Sequence, residues 1–96
     1  MIEHDETVQT ITDKIREALA GHDDAPHITV EPGFGGNLHV TVVSPVFDGW
    51  SGKQRNYLIW PKLRELPPHV LLRITLCLLL APSEAEALTP EWVVQV

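Results

Sequence analysis

The sequence predicts one α+β domain, with helices covering one face of a three-stranded mixed sheet. Two periodicities carry that prediction. Residues 38–43 and 70–80 alternate apolar with other residues, as half-buried strands do. Residues 8–19 and 55–66 instead repeat apolar positions at the three-and-four spacing of a helix face. A third observation is length: 96 residues suffice for one hydrophobic core but not for two. The domain is therefore 1–96, with 89–96 as an apolar C-terminal tail.

The first helix is set by Val8, Ile11, Ile15, Ala18 and Leu19 on one face, with Gln9, Asp13, Lys14, Arg16 and Glu17 on the other. Thr7 or Asp5 is expected to cap its start, and Gly21 to supply the left-handed residue past its end. His22-Asp23-Asp24-Ala25-Pro26 then reads as a polar connector. His22 and His27 flank it at a spacing that fits no common metal-ligand pattern.

Ile28 and Val30 alternate with Thr29 and Glu31 as a short first strand. The glycine-rich segment 32–37 is a hairpin connection and not a phosphate cradle. A cradle needs a helix immediately after it, and here a strand follows. Leu38, Val40 and Val42 form the inner face of that second strand, which Pro45 ends because it lacks the donor a ladder requires. Phe47 is expected to anchor the turn.

Gly49-Trp50-Ser51-Gly52 has the G-x-x-G form that precedes a helix in KH domains, with Lys53 and Arg55 just inside. In the helix that follows, Leu58, Trp60, Leu63 and Leu66 form an apolar face that Arg55, Lys62, Arg64 and Glu65 largely avoid. Pro61 is expected to split this helix near Ile59 or Trp60 and to open a second piece, which Pro67-Pro68 ends. Residues 69–80 read as the longest strand. Val70, Leu72, Ile74, Leu76, Leu78 and Leu80 are expected to face the helices, with Leu71, Arg73, Thr75, Cys77 and Leu79 on the outside. Ser83 with Glu86 makes a capping box for a last short helix. Trp92, Val93, Val94 and Val96 are expected to dock, on the sheet or across a dimer contact, because soluble monomers avoid such exposed patches.

Charge and composition bound the function. The net charge is −6, and its layout is uneven: 1–31 balance to −6, 49–73 to +4, and Asp48 with Glu84, Glu86 and Glu91 supplies the rest. An acidic whole opposes strong non-specific nucleic-acid binding, while the basic middle keeps a local version in view. Cys77 is the only cysteine, so there is no intrachain disulfide. The acidic start does not resemble a signal peptide and the longest apolar run is too short for a membrane span, so a cytoplasmic protein is expected, without membrane contact. No Ser-His-Asp, Cys-His or paired-carboxylate arrangement suggests an enzyme.

Several residues together resemble the BolA-like family. They are Val42-Val43-Ser44 closing a strand, Phe47 two before Gly49, Arg55 six after it, the apolar helix, Glu65-Leu66, and His69 at the expected start of the last strand. The resemblance spans residues 8–86 and is densest in 38–75. It implies an α-β-β-α-α-β-α fold, related to class II KH domains, and a small non-enzymatic adaptor. Such adaptors are expected to pair with a monothiol glutaredoxin around a shared [2Fe-2S] cluster, or to act in stress-linked gene regulation and cell morphology.

The resemblance also implies a ligand histidine in an Arg-His-Arg run, and a His or Cys in the loop between the first two strands. Here the run is Arg55-Asn56-Tyr57, and residues 31–37 hold neither ligand. A neutral amide is a poor iron ligand, so no cofactor of the protein's own is expected. His39 and Cys77, with His27, are the only substitutes, if they gather on the outer face of the sheet.

Two readings remain. In the first, a BolA-like interaction or regulatory protein uses the surface of Gly49, Trp50, Gly52, Lys53, Arg55, Asn56 and Tyr57 on a protein partner, as a monomer or weak dimer. In the second, the same surface binds nucleic acid as a KH-like module.

Overall fold

A computed structural model describes residues 2–87 and bears out the α+β prediction. The order is α1 (Ile2–Leu19), β1 (His27–Pro32), β2 (Leu38–Val43), α2 (Gly52–Leu63), α3 (Pro68–Leu71), β3 (Ile74–Leu80) and α4 (Pro82–Ala87). Short 3-10 turns at Phe34–Gly36 and Pro45–Phe47 flank β2. The sheet has the order β1-β2-β3, antiparallel between β1 and β2 and parallel between β2 and β3. The parallel step is a crossover through α2 and α3, which places helices over one sheet face.

The core forms where three amphipathic surfaces meet. Ile11, Ile15, Ala18 and Leu19 from α1 and Ile59 and Leu63 from α2 close over Leu38, Val40 and Val42 of β2. Phe47, Leu66, Val70, Leu79 and Ala81 complete it. α1 begins at Ile2, ahead of the expected caps. It ends as expected, with Gly21 at φ +85°.

The connector after α1 is tied down by Asp23. Its carboxylate accepts from Ser44 Oγ at 2.6 Å and from the Ala25 N–H at 3.0 Å. Those bonds, Ser44 first, hold the Asp23 carboxyl below its ordinary pKa.

Three expectations are corrected. Pro61 does not split α2, which runs through it to Leu63. The carbonyl deprived of its amide partner belongs to Tyr57, a residue 70% exposed, so water can reach that turn and the cost of the proline falls. Pro67 and Pro68 do not end a helix; Pro68 opens α3 from its first position, where its fixed φ suits the role. The residues expected to begin the long strand therefore turn once as α3 and bury Val70.

The third correction concerns which face of β3 points inward. Leu38 pairs with Ile74 but His39 pairs with Leu76, so Thr75 is an extra residue in a bulge. Side chains alternate strictly along a strand, so one inserted residue exchanges the faces beyond it. Ile74 keeps its expected inward position. Beyond the bulge, Cys77 and Leu79 face the helices, while Leu76, Leu78 and Leu80 turn to the open face.

Candidate functional site

The predicted surface is built on the turn between β2 and α2. Pro45–Phe47 forms a 3-10 turn whose Ser44 cap accepts from the Val46 N–H. Phe47 is fully buried. Gly49 then adopts φ +80°, a conformation that a residue with a Cβ resists, and brings the chain back so that the Trp50 N–H donates to the Phe47 carbonyl at 3.0 Å. The Trp50 ring meets that of Phe47 edge to face at 6.2 Å, which half-buries it. Ser51 caps α2 in a reciprocal box: its Oγ accepts from the Gln54 N–H, and the Ser51 N–H donates to Gln54 Oε1.

Arg55 occupies the centre of this arrangement. Expected off the apolar face, it is instead 8% exposed, with all three guanidinium nitrogens engaged. Nε donates to the Trp50 carbonyl at 3.1 Å, Nη2 to the Phe47 carbonyl at 2.9 Å and Nη1 to the Leu79 carbonyl at 2.8 Å. Both terminal nitrogens also reach Glu84 of α4, at 2.6 and 3.1 Å, as a bidentate pair.

Glu84 in turn accepts from the Ala81 N–H at 2.7 Å, closing the entry to α4. The Arg55 hydrogen bond, followed by that from Ala81, holds the Glu84 carboxyl below its ordinary value. One side chain thus ties the G-x-x-G turn, the third strand and the last helix together. The pairing spans 29 positions, so no local pattern could have announced Glu84 as the partner.

What α2 presents to solvent is therefore narrower than the predicted surface. Gly49, Gly52, Lys53, Asn56 and Tyr57 are exposed, and the Lys53 ammonium lies 5.9 Å from the centre of the Tyr57 ring. Asn56 borders a cleft of about 170 Å³ with Gly52, Arg55 and residues 77–80. The reciprocal cap has already taken two of the amides that an anion at the start of α2 would use. Arg55 spends its charge on Glu84.

The substitute metal ligands are not brought together. His39 pairs with Glu31 and Leu76 on the open face, whereas Cys77 pairs with fully buried Val40 on the core face. His27 shares the open face but pairs with Val43, at the opposite end of β2 from His39. The His39 ring packs so closely on Gly33 that a Cβ there would stand 2.7 Å from Nε2. Burial pushes the Cys77 thiol up to about 11, away from the thiolate a metal requires.

The two ligand positions implied by the resemblance also lie apart. Asn56 is beside residues 78–80, whereas the loop between β1 and β2 is fastened at the other end of β3 by the Arg73 Nε bond to the Gly36 carbonyl. About 20 Å of strand separates those ends. The donor set does not fit a cluster. Among the described residues, no group of three or more His, Cys, Asp or Glu side chains is placed to hold a metal ion. No helix among them is long and apolar enough to cross a membrane. The expected docking of Trp92 lies outside the described residues.

Comparison of the chain with family models, with curated proteins and with solved structures gives no match.

Proposed function

We propose that the protein is a non-enzymatic interaction module of BolA-like type, binding a protein partner through the exposed start of α2 without ligating an iron–sulfur cluster. The observation that carries this reading is the division of labour along α2. Arg55 is consumed by internal bonds, while Lys53, Asn56 and the 70% exposed Tyr57 remain outside on a rigidly capped helix. An aromatic ring held on a pre-ordered helix, rimmed by polar groups, is the composition of a protein-binding hot spot. The element order and the mixed sheet agree with what the resemblance implies for the fold. By the same resemblance the partner is a monothiol glutaredoxin.

Nucleic-acid binding through the G-x-x-G turn has less support. With Arg55 turned inward and the helix start capped by its own Gln54, Lys53 is left with little help in neutralising phosphates. Titration of the protein with a monothiol glutaredoxin, and separately with single-stranded RNA, tests both readings. Micromolar or tighter binding to the glutaredoxin is expected, changing little with salt and weakened about tenfold or more by Tyr57→Ala. RNA binding that falls steeply with salt, alongside no glutaredoxin binding, would overturn the proposal.

A further inference from the structure

β3 is an outer strand, since the sheet runs in the order β1-β2-β3. Its main chain alternates between two sides. The Leu80 carbonyl accepts from the Ser44 N–H at 2.9 Å and so points toward β2. Peptide groups of successive strand residues point opposite ways, so those of Leu79 and Cys77 face outward. The Leu79 carbonyl agrees, because it accepts from Arg55 Nη1 on that outer side at 2.8 Å. Among the described residues nothing else bonds to the outward groups of this stretch, which leaves the Cys77 N–H, the Cys77 carbonyl and the Leu79 N–H open. Cys77 and Leu79 line the cleft of about 170 Å³ that Gly52, Arg55 and Asn56 wall on the helix side.

Open main-chain groups at strand spacing match the backbone of one further strand. Its neighbours set what each of its sides can carry. On the open sheet face it would lie beside Leu76, Leu78 and Leu80, of which Leu76 is 42% exposed, and this favours apolar side chains. On the helix side it would meet Gly52 and Asn56, with Lys53 between them in the first turn of α2. Lys53 is exposed and has no acidic partner among the described residues, whereas the Glu84 charge is taken by Arg55. An acidic side chain complements it. A second copy is the poorer occupant. Edge-to-edge pairing over so short a stretch buries far less than the roughly 1,200 Å² of a stable interface, and it brings together two chains of net charge −6.

We propose that this edge takes an extended segment of the protein partner, added to the sheet beside β3, in which apolar residues alternate with acidic ones. The inference rests on the protein-binding role proposed for the start of α2 and names the part of the partner that reaches it. The acidic side chains face Lys53 and Asn56, the apolar ones extend the leucine stripe, and the main chain pairs with Cys77 and Leu79.

The probe is a six-residue peptide alternating valine with glutamate, blocked at both ends and titrated into the full chain while amide hydrogen exchange is followed by NMR. In the free protein the Cys77 and Leu79 amides are expected to exchange faster than those of Leu78 and Leu80, which bond to β2. Bound peptide is expected to slow them about tenfold or more. Replacing the glutamates by lysine is expected to weaken binding about tenfold, and Lys53→Glu to reverse that preference. N-methylation throughout the peptide is expected to abolish binding, because it removes the donors a ladder needs. Absence of peptide binding, binding that survives N-methylation, a lysine peptide that binds as well, or bound peptide that leaves both amides unprotected overturns the inference. So does protection of both amides before peptide is added, which means that this chain or a second copy already fills the edge. Single-stranded RNA protecting them in the peptide's place overturns it too. Glutaredoxin binding that Tyr57→Ala weakens, with no peptide at the edge, removes the inference and spares the reading beneath it. Peptide protection without glutaredoxin binding removes that partner and spares the edge.

Discussion

Replacing Arg55 tests the claim that one buried guanidinium organises the site end of the fold. In Arg55→Ala the Phe47 and Leu79 carbonyls lose their side-chain donors in a buried setting, and the Trp50 carbonyl loses one at its edge. The buried Leu79 carbonyl loses its side-chain donor at about 1–3 kcal/mol, while the Phe47 carbonyl keeps the Trp50 N–H and loses only a charge-assisted second bond worth about 1.5 kcal/mol, so the two together cost about 3 kcal/mol. Loss of the guanidinium from its place 5.7 Å from the Phe47 ring centre adds to that figure. A domain of this size has a total stability of roughly 5–10 kcal/mol, so the change removes a third or more of it. At about 4–8 °C per kcal/mol, the melting temperature falls by roughly 12–24 °C. Arg55→Lys keeps the charge but not the planar fork and can serve only one of the separated acceptors well, so it is expected to fall between. Urea denaturation followed by circular dichroism measures the effect, with an unchanged slope confirming that stability alone has moved. A loss of less than about 1 kcal/mol in Arg55→Ala would refute the reasoning, because the carbonyls would then have found other donors at no cost.

Three further outcomes are expected. Glu84, Glu65 and Asp23 all have carboxyl pKa values lowered in the folded state, chiefly by hydrogen bonds from Arg55, Lys14 and Ser44 respectively. Their contribution is present above the ordinary carboxylate range and is lost as pH falls through the lowered values; acid titration of stability measures it, and Glu84→Gln is expected to flatten part of the decline. Cys77, buried and pushed up to about 11, is expected to react with a thiol reagent at pH 8 about a hundredfold more slowly than an unstructured cysteine, and at the ordinary rate once denaturant is added. Mixed with a cluster-loaded monothiol glutaredoxin, the protein is expected to leave the visible spectrum unchanged, since Asn56 offers only an amide. Asn56→His is expected to restore part of the shift; a clear change with the wild type that Cys77→Ala abolishes would place the ligands elsewhere.

The elements that were legible in the sequence are those whose signal is local and periodic. β2 matched its predicted bounds because Leu38, Val40 and Val42 alternate without interruption, and the end of α1 did because Gly21 is a local stop. Pro61 misled because its local penalty depends on whether the deprived Tyr57 carbonyl is wet, which only the packing decides. Asn56 and Tyr57 enter the expected surface through the run that the resemblance matches, and both are exposed. Arg55 was not recognisable as internal, since a charged residue near a helix start ordinarily faces solvent and its four partners lie on three other parts of the chain. His39 and Cys77 looked combinable only because a bulge leaves no mark in a run of leucines.

That bulge links the fold's geometry to its surface chemistry. A regular strand from Ile74 would have sent Leu76, Leu78 and Leu80 into the core and left Thr75, Cys77 and Leu79 outside, a face needing little cover. With Thr75 unpaired, the core instead receives Cys77 and Leu79, and the larger apolar set is displaced outward. The smaller inward side chain at Cys77 lies beside the cleft that Arg55 and Asn56 border, so the same residue shift bears on both surfaces. An apolar face of this kind on β3 invites association unless something occupies it. Ala85 of α4 lies at the rim of that face. The strand irregularity is therefore better understood as setting which surface is available for binding than as a defect in the sheet.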